Sequence, residues 1–314
     1  MTTCPAPGTG ATVYRGRFAP SPSGPLHFGS LVTAVGSYLD ARASGGHWLL
    51  RIEDLDQPRT QPGATAAILR TLEAFGFAWD EEVVVQSHRL AGYRHAFELL
   101  QAAGMVYPCA CSRSEIAALA ALPSVDGGRI YPGSCRSGLP SGRSARAWRL
   151  CVPSSEIVVD DRLQGRLRQT LARDVGDFAL LRADGTFAYQ LAVVVDDAAQ
   201  GINAVVRGAD LFDSTPRQIW LQRCLGVPTP SYAHLPVVTN AAGEKLSKQT
   251  RAPAVDAAAG STLLAAALTF LGHTVPAEIA AGPVGEFWSW SIQQWSLSRV
   301  PAVRAIVQGC PLPP

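Results

Sequence analysis

An α/β fold with a parallel sheet is what this sequence predicts, on three observations. Strand-like and helix-like segments alternate through the first hundred residues, the pattern of parallel strands joined by crossover helices. That alternation gives way to an irregular middle and returns at Phe187. Finally, 314 residues with 47% hydrophobic and 17% charged side chains can bury a sizeable core and do not read as disordered.

The elements follow in order. Residues 13–18 read as a short strand, then Ala19-Pro-Ser-Pro-Ser-Gly-Pro25 is a loop of turn formers. Leu31, Val32, Val35, Tyr38 and Leu39 recur at helical spacing. Residues 48–52 form a compact apolar strand that runs into Glu53, Asp54 and Asp56. Helical patterns cover residues 64–75 and 89–103, the second stopped by Gly104. From 109 to about 174 Gly, Pro, Ser and Arg are frequent, which reads as an inserted subdomain of short strands. Residues 187–195 and 204–206 read as strands, and 216–224 as a helix with Asp213, Ser214 and Thr215 as capping candidates. A polar loop spans 240–250, and the alanine-rich remainder reads as helical. The expected organisation is a tail (1–12), a first core half (13–108), an insert (109–175), a second core half (176–252) and a helical C-terminal region (253–314).

Composition excludes several classes. The longest apolar stretch, residues 263–271, is too short to span a bilayer, and residues 1–12 lack the basic start and apolar centre of a signal peptide. Seven cysteines, an odd number, argue against a secreted disulfide framework. A soluble, cytoplasmic protein is expected, with no obligate protein partner evident.

Net charge is only +2, yet residues 129–173 carry nine arginines against Glu156, Asp160 and Asp161. That local excess is enough for a phosphate-contacting surface, or for a solvated face. Both lysines of the chain, Lys245 and Lys248, fall within four residues, while the other 25 basic residues are arginine. A compact ammonium suits a phosphate that changes position better than a planar guanidinium does.

The junction from Pro22 to Ser30 leaves a strand and opens a helix, so its backbone N–H groups make an anion site that Gly29 lets a ligand approach. His27 can hydrogen-bond a phosphate oxygen there. Cys109-Ala-Cys111 and the distant Cys135 supply three thiolates, one donor short of a closed tetrahedral zinc site. Tyr131, Cys151 or a water remain open as the fourth. Cys4, Cys151, Cys224 and Cys310 otherwise read as ordinary thiols.

Arg17-Phe-Ala-Pro-Ser-Pro-Ser-Gly-Pro-Leu-His-Phe-Gly-Ser30 resembles the first signature of class I aminoacyl-tRNA synthetases of the glutamyl/glutaminyl branch. Lys245-Leu-Ser-Lys-Gln249 resembles their second, with Leu246 and Gln249 in place of the usual Met and Ser. Arg51-Ile-Glu-Asp-Leu-Asp56 and Val206-Arg-Gly-Ala-Asp-Leu211 match the same branch, so the likeness runs from about Arg15 to Arg251. It implies a Rossmann-like catalytic domain that activates L-glutamate with ATP and Mg²⁺. His27 and Lys248 would be catalytic, with His27, Gly29, Ser30, Lys245 and Lys248 binding ATP. Arg17, Phe18, Ala19, Pro20, Ser21, Glu53, Tyr189 and Arg207 would bind glutamate: arginine as the natural fork for a carboxylate, Glu53 for the ammonium, Tyr189 from a strand.

The order C-x-C followed by Y-x-x-x-C resembles the zinc site of glutamyl-Q tRNA(Asp) synthetases, which implies Cys109, Cys111, Tyr131 and Cys135 around one structural zinc. The 65 residues after Gln249 leave no room for the anticodon-binding region of a full glutamyl-tRNA synthetase. The same family is therefore expected, one that attaches glutamate to the queuosine base of tRNA(Asp). A truncated synthetase charging an acceptor end, or a non-enzymatic paralogue, is the alternative.

Overall fold

β1 (Arg15–Phe18) and β2 (His47–Ile52) run parallel, Arg15 opposite His47 through to Phe18 opposite Leu50, because α1 (Phe28–Ala43) carries the chain back between them. The computed structural model describes residues 12–119, 122–125, 127–246 and 253–309. α2 (Ala64–Ala74) buries Ile68 and Leu72, and β3 (Val84–Val85) adds a third parallel strand beside β2. α3 (Leu90–Ala102) buries Tyr93, Phe97 and Leu100, an i, i+4, i+7 stripe.

The middle of the chain divides between two sheets. β4 (Val106–Cys109) precedes α4 (Arg113–Leu119), and β5 (Ala147–Leu150) pairs antiparallel with β4. β6 (Glu156–Asp161) and β7 (Gly165–Thr170) form a hairpin, α5 (Leu171–Asp174) is a single turn, and β8 (Phe178–Leu181) returns to pair with β5. The small β4-β5-β8 sheet thus uses strands on both sides of the 109–175 range, and the hairpin within that range belongs elsewhere. β6 pairs in parallel with a strand of the second core half, Asp161 opposite Tyr232.

Residues 187–195, expected as a strand, are instead largely α6 (Tyr189–Ala199). This is a correction with a clear cause. Leu191 to Val194 are all buried, because α6 lies between the sheet and its helical neighbours, and a helix covered all round reads as a continuous apolar run. Three consecutive valines then imitate a strand.

β9 (Ala204–Gly208) leads through a 3₁₀ turn into α7 (Thr215–Leu225), then β10 (Ser231–Leu235) and β11 (Val237–Thr239). Ser214 occupies the cap position of α7 but its side chain makes no capping bond, and Pro216 supplies the preset backbone instead. α8 (Gly260–Phe270), α9 (Ala277–Ala281) and α10 (Val284–Gln294) form the helical C-terminal region. It also holds a strand that composition did not announce, β12 (Ala305–Val307), parallel to β11.

β9 lies alongside β1, the Asn203 N–H donating to the Arg15 carbonyl (3.1 Å), so the two larger sheets read side by side as β3-β2-β1-β9-β10-β6-β7. Connections leave in opposite directions between β1 and β9. A crevice opens outside the carboxyl ends of strands at such a switch point. The core on one face joins α1 to α8 and α10 around Trp48, Phe77 and Trp288; the other joins α3, α6 and α7. Both faces of the central strands are covered, which fixes the strand ends that carry the site.

Candidate active site

A cavity of about 1010 Å³ lies at this crevice, at the upper end of the ~300–1,000 Å³ usual for small-molecule sites. Arg17, Phe18, Ala19, Pro20 and Ser21 enter it from the end of β1, Glu53 from just past β2, and Tyr189 from the first turn of α6. Arg207 enters from β9, while His27, Gly29, Ser30 and Lys245 line the opposite part. Lys248 lies outside the described residues.

The β1–β2 end is a buried ionic lattice. Arg17 donates through Nε to Asp197 (3.1 Å), and the fully buried Arg51 donates to the same carboxylate (2.8 Å), to Gln200 (2.7 Å) and to Glu53 (3.4 Å). The neighbouring Asp196 accepts from Gln86 (3.0 Å), Arg89 (2.6 Å) and Tyr93 (2.7 Å). Burial pushes Asp197 upward, but the two guanidiniums outweigh it and hold its carboxyl below the usual range. Glu53 goes the other way: burial dominates, and Asp196 and Asp197 add to it, so its carboxyl is raised despite Arg51 and Arg17. An ammonium placed against Glu53 would restore its charge.

Arg207 is buried and differently partnered. Nε–H donates to His234 Nε2 (2.9 Å), one terminal nitrogen to Gln218 (2.8 Å), and the other to the Thr215 hydroxyl (3.0 Å). Longer contacts of 3.5 Å reach the Tyr189 hydroxyl and the Leu211 carbonyl. Every one of these acceptors is neutral. Arg17, in contrast, is already matched to Asp197, so of the two arginines Arg207 keeps an uncompensated charge at the cavity wall.

At the far part, His27 caps α1, its Nδ1 accepting from the Ser30 N–H (3.3 Å). A Cβ at Gly29 would press on the His27 ring at 3.2 Å, so glycine keeps this helix start open. Lys245 pairs with Asp210 Oδ2 at 2.5 Å. Leu246 donates to the Val238 carbonyl (2.8 Å) and Val255 to the Leu26 carbonyl (2.9 Å), so the chain is pinned beside the cavity on both sides of 247–252.

The thiols form a separate cluster. Cys109, Cys111 and Cys135 offer sulfurs within 4.8 Å of one another, Cys111 and Cys135 being 3.7 Å apart. The Tyr131 hydroxyl sits 3.4 Å from Cys109 and 3.8 Å from Cys111. Metal–sulfur bonds of about 2.3 Å at tetrahedral angles place sulfurs roughly 3.8 Å apart, so this donor set fits a tetrahedral ion. Burial pushes the Cys111 thiol up to about 11, a protonated state that a bound cation would reverse. Cys151 lies outside this set of sulfurs.

Sequence reasoning missed Asp196, Asp197, His234, Asp161 and Asp210, and gave Arg51 no task. One signal was present: two acids ending an apolar run are costly to bury unless paired. The arginine excess of 129–173 also changes meaning. Arg166 and Arg168 pair with Asp160 and Glu156, but Arg136, Arg143, Arg162 and Arg173 pair with Asp177, Glu115, Asp40 and Asp174, outside the stretch. Much of the apparent excess is thus neutralised by acids that lie outside the stretch.

A family model of class I tRNA synthetases (E and Q), catalytic domain, matches residues 13–263. A protein of Dechloromonas aromatica named glutamyl-Q tRNA(Asp) synthetase is 62% identical over 92% of this chain and 96% of its own length. One of the same name from Chromobacterium violaceum is 61% identical over 92% and 96%. A crystal structure of a glutamate tRNA ligase from Elizabethkingia meningosepticum in complex with its amino acid superposes with a TM-score of 0.75 at 26% identity. It matches 93% of this chain and 66% of that one.

Proposed function

The chain belongs to the class I aminoacyl-tRNA ligases of the glutamate and glutamine branch, with the glutamyl-Q tRNA(Asp) synthetases, and from that premise we propose its reaction. It activates L-glutamate with ATP, without tRNA, and transfers the glutamyl group to the queuosine base at the wobble position of tRNA(Asp). The observation that carries the substrate is Arg207, a buried guanidinium whose partners are all neutral, opening on a cavity shared with Glu53. An anion must complete it, and the side-chain carboxylate of glutamate does so bidentately. Glu53 takes the ammonium. Arg17, Phe18, Ala19, Pro20, Ser21 and Tyr189 shape the space around the amino acid.

The α-carboxylate of glutamate attacks the α-phosphorus of ATP and pyrophosphate leaves. Charge grows on the phosphates as it does so, which makes positioning and electrostatics the main contributions. His27, Ser30 and the helix start at Gly29 hold the triphosphate, Lys245 approaches from the far side, and Lys248 reaches the departing pyrophosphate. Bound together with ATP, Mg²⁺ would offset the charge of the phosphates. Cys109, Cys111, Cys135 and Tyr131 would hold one structural zinc, for which three thiolates are suitable soft donors.

The deciding experiment uses purified protein with glutamate, ATP and Mg²⁺. Pyrophosphate exchange is expected with no RNA added, and glutamate should enter tRNA(Asp) only when queuosine is present. An anticodon stem-loop carrying queuosine should be a substrate and an acceptor minihelix should not. Glutamate recovered as an ester on the terminal adenosine would overturn the assignment. One zinc per chain is expected by metal analysis, lost in Cys135→Ser. A fully folded, active, zinc-free protein would leave these residues as buried thiols.

A further inference from the structure

Arg207 is held from behind by a chain of two side chains on the next two strands. His234 sits opposite Arg207 in the β9–β10 register, and Asp161 ends β6, the strand on the other side of β10. Asp161 Oδ2 lies 2.6 Å from His234 Nδ1, and His234 Nε2 lies 2.9 Å from Arg207 Nε. Asp161 and His234 are buried, and neither lines the cavity.

The direction of these bonds is forced. A guanidinium N–H can only donate, so His234 Nε2 must accept and the ring proton must be on Nδ1, donated to Asp161. Asp161 is itself fixed, because Oδ1 accepts from the backbone N–H groups of Leu163 (3.0 Å), Gln164 (2.8 Å) and His234 (3.1 Å). The charged groups facing the ring are Asp161, Arg207 and Asp210, and the rings of Phe212 and Tyr232 pack beside it. Burial first, and then Arg207, push the imidazole down to about 4 against the pull of Asp161, which keeps the ring neutral.

We propose that Asp161 and His234 are positioning residues that aim Arg207 at the substrate carboxylate while leaving its charge unspent. This rests on the glutamate reading above. A carboxylate paired directly with Arg207 would orient it equally well and cancel it, which is the state of Arg17 beside Asp197. A neutral imidazole between the two orients without cancelling. The short bonds to His234, Gln218 and Thr215 fix the plane of the fork, and the 3.5 Å contacts to Tyr189 and Leu211 are the ones a ligand oxygen can replace.

The test separates KM for glutamate from KM for ATP in pyrophosphate exchange. In Asp161→Asn the amide oxygen stays on the three backbone donors, so the amide N–H faces Nδ1 and moves the ring proton to Nε2, against Arg207. Glutamate KM should rise about 10-fold or more, the scale of a buried charged donor left unmatched, with ATP KM changed by less than about twofold. His234→Phe, which removes the acceptor, should do the same, while His234→Gln, whose carbonyl can accept from Arg207, should lose less. Adding Asp161→Asn to His234→Gln should cost little more, since no tautomer remains to be chosen. If Asp161→Asn does not fold, the contrast of His234→Phe with His234→Gln decides. Unchanged glutamate KM in these variants, or equal rises for glutamate and ATP, overturns the relay while leaving glutamate activation intact. Wild-type exchange indifferent to glutamate overturns the substrate assignment and the relay together.

Discussion

The two ends of the cavity are built on opposite principles. At the end proposed for the amino acid, Arg17, Arg51, Asp196, Asp197 and Arg207 are all buried, and all but Arg17 are held by more than one partner. At the end proposed for the phosphates, Lys245 and Asp210 keep side-chain exposures of 47% and 33%, and their ion pair faces solvent. Under the proposed reading, the difference follows from what each end would recognise. A charged amino acid of fixed shape is told from its isosteres by groups whose desolvation is already met in the fold. A triphosphate is highly charged and changes geometry during reaction, so exposed point charges serve it.

If the contrast holds, the largest effect belongs to Arg207. Arg207→Ala should lower kcat/KM for glutamate by about 10³-fold in pyrophosphate exchange, the scale of breaking a buried ion pair, with little change in ATP KM. A comparable loss for ATP would erase the distinction between the ends.

Asp197→Asn should act on stability. Removing one member of a buried lattice costs roughly 3 kcal/mol, read as a lower urea midpoint at neutral pH. The folded pKa of Asp197 lies below its unfolded value of about 3.9, so its stabilisation is present above that pH and fades as pH falls through the folded value. The gap between wild type and variant should therefore close on acidification below about pH 4. A gap independent of pH would mean that packing, not charge, holds this end.

Lys248→Ala should reduce the activation rate by about 10²-fold with a smaller change in glutamate KM, because the contact strengthens as pyrophosphate leaves. Lys248→Arg should not restore it fully. Wild-type rates in either would remove Lys248 from the chemistry. The smallest effect is expected for Asp210→Ala. A half-exposed pair is worth about 0–1 kcal/mol, so ATP KM should move by less than about fivefold, and less still at high salt. A tenfold loss would show that the phosphate end is also prebuilt.

Much of this arrangement could be read from the chain, and particular residues show where reading stopped. Helical spacing from Leu31 to Leu39 and the compact strand at 48–52 announced α1 and β2. The 187–195 run was misread because periodicity fails once an element is covered on every side, and Tyr189 moved from a strand to a helix start with it. The basic stretch stayed ambiguous for another reason: Arg162 finds its acid at Asp40, 122 residues away. Counting charge in a window cannot find such a partner.

Residue types and local spacing by themselves determined the alternating architecture, the glycine-opened helix start at His27 and Gly29, the lysine pair and the three-cysteine pattern, because each depends on neighbours within a few positions. Only the tertiary structure decided which arginine keeps its charge. Arg17 and Arg207 are the same side chain in the same cavity, yet one meets Asp197 and the other meets His234. That outcome is set by strand order and register, which bring together residues 180 and 27 positions apart. The free charge of a buried group depends on what the fold places against it.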